Sequence, residues 1–123
     1  MTLTTLVSGA DALRRETAIA HAIGQLPKTD SVALILEGLA SAESPLHQSI
    51  NNLPWRISRI APSCPCCIGN LAMRVTLNRM LRPPPQHLFI SLAANAHQAQ
   101  IRAFLLAAPY DRLLDLQSDL ITA

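Results

Sequence analysis

Three cysteines lie within four consecutive positions, Cys64-Pro65-Cys66-Cys67, and no other cysteine occurs among the 123 residues. Thiolates this close together suit a soft divalent ion, which needs only sulfurs converging at about 2.3 Å from one centre. A disulfide between Cys66 and Cys67 is disfavoured. Adjacent Cα atoms lie about 3.8 Å apart, below the usual disulfide range of roughly 4.4–6.8 Å. Cys64, Cys66 and Cys67 are therefore the candidate metal ligands, with zinc the expected ion. A fourth ligand is open to His47, His87, His97, water or a second chain. His21 sits inside a helical pattern and reads as structural. The plainer alternatives are a redox role or ordinary buried thiols.

A second segment with chemical potential is Gly9-Ala10-Asp11-Ala12-Leu13-Arg14-Arg15-Glu16. It follows an apolar run and opens a helical pattern, the setting of a phosphate-binding loop of the form G-x-x-x-x-G-K-[ST]. Only the first glycine is present. Arg14 replaces the second glycine and is expected to crowd the space where backbone N–H groups would wrap a phosphate. Arg15 keeps a cation at the lysine position. Glu16 stands where a hydroxyl would bind magnesium, and its carboxylate would repel phosphate. Like charges about 4 Å apart at an effective dielectric of about 20 cost on the order of 4 kcal/mol. A ligand-free reading accounts for the same residues, with Asp11 capping the helix and pairing with Arg15 one turn on. No nucleotide hydrolysis and little nucleotide binding are expected.

The elements that must position these loops can be read from periodicity. Thr2–Ser8 reads as a buried strand, followed by a turn at Gly9 and a helix with Leu13, Thr17, Ala20 and Ile23 on its apolar side. Gly24 and Pro27 end that helix. Ser31–Leu36 is a second strand, and 38–54 reads mostly as loop. Trp55–Ile60 alternates apolar and polar residues, as in a strand with one face exposed. After the loop at 62–67 comes a helix carrying Leu71, Val75, Leu77, Met80 and Leu81, stopped by Pro83-Pro84-Pro85. His87–Leu92 is a strand, Ala96–Ala107 a helix and Tyr110–Leu116 a final strand. This alternation predicts one α/β domain over 1–123, with a mostly parallel sheet of about five strands between helical layers. The loops at Ser8–Ala12 and Pro62–Ile68 then fall at the strands' carboxyl ends, where such folds bind ligands.

Composition narrows the function classes. Half the residues are hydrophobic, enough for one core. The opening residues lack a basic segment followed by an apolar one, so no signal peptide is expected and the cytoplasm is the default. No apolar stretch reaches the roughly 20 residues of a membrane span. From Ser44 to Tyr110 there is no acidic residue, while Arg56, Arg59, Arg74, Arg79, Arg82 and Arg102 lie there. Such a stretch attracts anions or acidic partners, or forms a solvated basic face. Trp55, Phe89, Phe104 and Tyr110 are not clustered with those arginines, which argues against nucleic acid.

Taken together these motifs resemble the CobW-type GTP-binding metallochaperones. Leu6-Val7-Ser8-Gly9 matches the entry to the family's phosphate loop, and Cys64-Pro65-Cys66-Cys67 matches its Cys-x-Cys-Cys motif. Ile90-Ser91-Leu92-Ala93-Ala94-Asn95-Ala96-His97 falls where its Glu-Thr-x-Gly-Leu-Ala-Asp-Pro segment belongs. Ser91, Ala94 and His97 replace the glutamate, glycine and aspartate. The guanine-recognition motif and the family's C-terminal domain lie beyond the residues the resemblance covers. It implies a P-loop NTPase-like fold and a pseudo-GTPase that binds zinc through the cysteines, with a protein partner or a second copy as its company. The alternative is a structural or regulatory interaction subunit without metal. An active hydrolase is opposed by the loop chemistry.

Overall fold

The computed structural model describes residues 2–9, 11–27, 29–37, 55–60, 71–92 and 95–122. Among these residues six strands form one sheet: β1 (Thr2–Ser8), β2 (Val32–Glu37), β3 (Trp55–Ile60), β4 (His87–Leu92), β5 (Leu114–Leu116) and β6 (Leu120–Ile121). The order is β3-β2-β4-β1-β5, with β6 also on β1, and every pairing is parallel. Parallel pairing demands a crossover between strands, and helices supply it. α1 (Ala12–Gly24) covers one face, through Ile19 and Ile23 against Val7, Leu34, Leu36 and Phe89. α2 (Leu71–Met80) and α3 (Asn95–Leu106) cover the other, through Met73, Leu77, Ile101 and Leu105 against Leu6, Ile35, Leu88 and Ile90. The result is a three-layer α/β fold of the kind compatible with P-loop proteins.

Burial on both faces explains the composition of the inner strands. All six residues of β2 are buried, and the apolar run Val32 to Leu36 fits a strand between two covered faces. Each fully buried leucine or isoleucine here contributes about 1.5–3 kcal/mol relative to exposure.

Several local expectations are corrected. β3 is not open on one face, because Arg56 to Ile60 are all half-buried. Ile60 packs with the α2–α3 side and Ile57 with the α1 side. Arg56 reaches past the strand to donate to the carbonyls of Met80 (2.8 Å) and Pro83 (2.6 Å). Those carbonyls lie where the prolines end α2, so the guanidinium supplies the missing donors. On α1 the buried side is Arg15, Glu16, Ile19 and Ile23, while Leu13 and Thr17 are exposed. The segment expected to be one strand begins instead as a 3-10 turn at Tyr110–Arg112, before β5.

The last strands carry a register change. β5 pairs Thr2 with Leu114 and Thr4 with Leu116, whereas β6 pairs Val7 with Leu120. One extra residue on the outer strand between these pairs is a bulge, and a one-residue shift turns side chains to the other face. Leu114 and Leu116 accordingly join the α2–α3 core, and Leu120 packs on the α1 side.

This outer segment ends against Gly9. Thr122 N donates to Ser8 O (2.8 Å), and Gly9 has φ +155°. A Cβ at Gly9 would stand 2.0 Å from Thr122 Oγ1. Both the backbone conformation and the close approach require glycine here. Gly9→Ala should lower stability by about 2 kcal/mol in urea unfolding, and adding Thr122→Ala should restore part of that loss. An alanine variant of unchanged stability would contradict this account.

Candidate functional site

Strands β1, β2, β3 and β4 all end on the same edge of the sheet, because their pairings are parallel. That edge receives the turn at Gly9, and the chain leaves β3 there at Ile60. Asp11 caps α1, its Oδ1 accepting from Leu13 N at 2.9 Å, a contact worth about 1 kcal/mol. The cap fixes where the first helical turn starts and hence which side chains face the sheet.

Arg15 is the first to do so. It is 1% exposed. Its Nε donates to Ser91 Oγ (2.8 Å), Nη1 to Gly9 O (2.5 Å) and Nη2 to Glu37 O (3.1 Å). Burial lowers the Arg15 pKa from its ordinary value, opposed by the nearby carboxylates of Glu37, Glu16 and Asp11. An arginine begins so high that the group remains a cation at any physiological pH.

A phosphate-binding loop turns backbone N–H groups toward an anion. Here the carbonyls of Gly9 and Glu37 turn toward a cation that belongs to the chain itself. The polarity of the cradle is reversed.

Glu16 follows Arg15 inward. Arg59 on β3 grips it with both arms, Nη1 to Oε2 and Nη2 to Oε1, each at 3.0 Å. This two-point geometry is the strong form of an arginine–carboxylate pair. Glu16 therefore meets a guanidinium rather than repelling a phosphate. Two further expectations are corrected. Asp11 lies 3.8 Å from Arg14 Nε, not against Arg15, and both partners are exposed. Arg14 therefore stands outside the loop, and Arg15 fills it.

Among the metal-ligand candidates, Cys64, Cys66, Cys67 and His47 lie outside the described residues. His97 falls in the first turn of α3, which follows the carboxyl end of β4. His87 opens β4 at the opposite edge, five residues or about 16 Å along the strand from Leu92. Its Nε2 lies 2.8 Å from Asp30 Oδ2. The strand direction thus sets His87 at the amino-terminal edge, away from the turn at Gly9. Among the described residues, no group of three or more His, Cys, Asp or Glu is placed to hold a metal ion. His21 is exposed in the last turn of α1.

The arginines of the acid-free stretch do not form one basic face. Arg56 caps α2, Arg59 holds Glu16, and Arg102 pairs with Asp119. Arg74 lies 5.7 Å from the centre of the Phe104 ring. Phe104 also packs on Tyr110 with ring centres 5.1 Å apart, and Phe89 is buried. None of the helices among the described residues is long and apolar enough to cross a membrane.

No protein-family model, curated protein or solved structure matches this chain. The class defined by fold and site is accordingly the α/β parallel-sheet domain, with a charged, self-satisfied cluster at the strands' carboxyl ends.

Removing one partner of a buried pair leaves an uncompensated charge and costs about 3–5 kcal/mol. Arg59→Met and Glu16→Gln should each destabilise by about 3 kcal/mol, and the double variant should cost clearly less than their sum. Additive losses in chemical denaturation would show that the pair is not coupled.

Proposed function

We propose that this chain is a CobW-like pseudo-GTPase domain, which binds a thiophilic ion such as zinc through Cys64, Cys66 and Cys67 and hydrolyses no nucleotide. The observation that supports the nucleotide-free half is the Arg15 guanidinium, held by Gly9 O, Glu37 O and Ser91 Oγ where a phosphate loop would hold its anion. A nucleotide's phosphates do not fit residues arranged in this way. Lysine-to-arginine and glutamate-to-serine differences from the family pattern meet in one contact, Arg15 to Ser91, and so read as a matched pair.

The metal half rests on the donor chemistry of the cysteines. Three thiolates select a soft ion over magnesium or calcium. Three protein donors are one short of a closed structural set, which suits handing the ion on. The basic residues and helix start that follow in sequence favour thiolate over thiol. A cytoplasmic location goes with reduced cysteines.

A second reading, a metal-free interaction subunit, draws on a mostly apolar groove of about 570 Å³ beside α1, lined by Leu13, Ala18, Ala22 and Leu120 among others.

Competition titration of the reduced, untagged protein should give one zinc per chain. Cys66→Ser should weaken that affinity at least about tenfold, while the thermal midpoint of the metal-free protein stays within about 3 °C. Calorimetry with magnesium and GTP should register no binding. Micromolar GTP affinity would overturn the pseudo-GTPase reading, and absence of stoichiometric zinc would leave the interaction subunit.

A further inference from the structure

The opposite, amino-terminal edge of the sheet carries a cavity of about 520 Å³ between the start of β1, the end of α2 and the 3-10 turn. Its volume lies within the range of small-molecule sites. Leu81, Pro84, Pro109 and Leu113 supply apolar walls. Its charged lining is Arg82 and Arg112, and no carboxylate is among the lining residues.

These two arginines differ from most others in the chain. Arg14, Arg15, Arg56, Arg59 and Arg102 are engaged by carboxylates, carbonyls or a hydroxyl. Among the described residues, neither the Arg82 nor the Arg112 side chain has a hydrogen bond or ion pair. Two like charges at one cavity mouth repel each other, and an anion between them relieves that repulsion.

Asn78 adds a third donor. The Tyr110 hydroxyl donates to Asn78 Oδ1 at 2.8 Å, which fixes the amide and leaves its Nδ2 hydrogens for another acceptor. The Thr2 hydroxyl, also on the lining, is already given to Pro85 O at 2.6 Å. The cavity lining therefore presents donors and apolar surface, with no acid among its residues.

We propose that this cavity binds a small organic anion, with a carboxylate or phosphate head between Arg82 and Arg112 and an apolar body against the prolines and leucines. Guanidinium groups match the planar, two-oxygen edge of such heads. The site is separate from the carboxyl-edge cluster and independent of the metal and nucleotide readings.

The test is an NMR titration of the whole chain with 4-phenylbutyrate and phenyl phosphate, following the Asn78 side-chain amide and the Leu113 backbone amide. 4-Phenylbutanol supplies the apolar body without charge, and inorganic phosphate the charge without the body. The expected result is that at least one of the two anions shifts both signals at least tenfold more tightly than either control. Arg82→Gln/Arg112→Gln should weaken that binding at least tenfold, with the remaining amide spectrum unchanged. Equal affinity for the alcohol would reduce the site to an apolar cleft. Equal affinity for inorganic phosphate would reduce it to bare charge. Shifts that survive the double variant, or no shifts at these amides with either anion, would overturn the assignment.

Discussion

A guanidinium withdrawn from water must recover its hydrogen bonds from the protein, at a desolvation cost of several kcal/mol. Arg15 recovers them from three oxygens contributed by the ends of three neighbouring strands: Gly9 after β1, Glu37 at the end of β2 and Ser91 near the end of β4. The rest of the carboxyl edge is arranged around this contact. It draws the first turn of α1 onto the sheet, which carries Glu16 inward beside it. A buried carboxylate then needs its own cation, and β3 delivers Arg59. The helix, the turn and four strands are thereby held by one chain of charged contacts above the apolar core.

That arrangement also sets this edge apart from an open phosphate loop. An open phosphate loop keeps its donors waiting for a ligand. Here carbonyls and a hydroxyl face a buried side chain of the protein itself. The two edges of the sheet consequently differ in kind. Among the described residues, the charges of Arg15, Glu16 and Arg59 are met at the carboxyl edge, while at the amino edge the Arg82 and Arg112 side chains have no hydrogen bond or ion pair beside apolar walls.

The strands and helices were largely legible because each is short, apolar and punctuated by Gly, Pro or a capping Asp. β2 is apolar from Val32 to Leu36 and β4 from Leu88 to Ile90, and the three prolines after α2 left little choice about its end. The site was legible only as a set of substitutions. Arg15 and Glu16 could be seen to depart from a phosphate-loop pattern, and Ser91 from the acidic segment of the family the chain resembles, but their partners depend on register. Nothing local in Arg59 says that it faces Glu16, since that follows from β3 pairing with β2 so that Arg59 lies beside Leu36. The inward side of α1 departs from its hydrophobic pattern for a related reason. Counting hydrophobic residues places Leu13 inward, whereas the helix turns Arg15 and Glu16 to the sheet because their charges find partners there. His87 is a ligand candidate by residue type alone, and strand direction sets it at the amino-terminal edge of the sheet.

The single extra residue between β5 and β6 makes the outer segment a fastener between layers. Its leucines enter the α2–α3 core before the bulge and the α1 core after it. One stretch of about seven residues therefore stitches together two cores that the sheet otherwise keeps apart. Its length is constrained by arithmetic rather than by chemistry. Any change by an odd number of residues between Leu116 and Leu120 would turn Leu120 to the wrong layer, whereas the identities of the residues in between are comparatively free to vary.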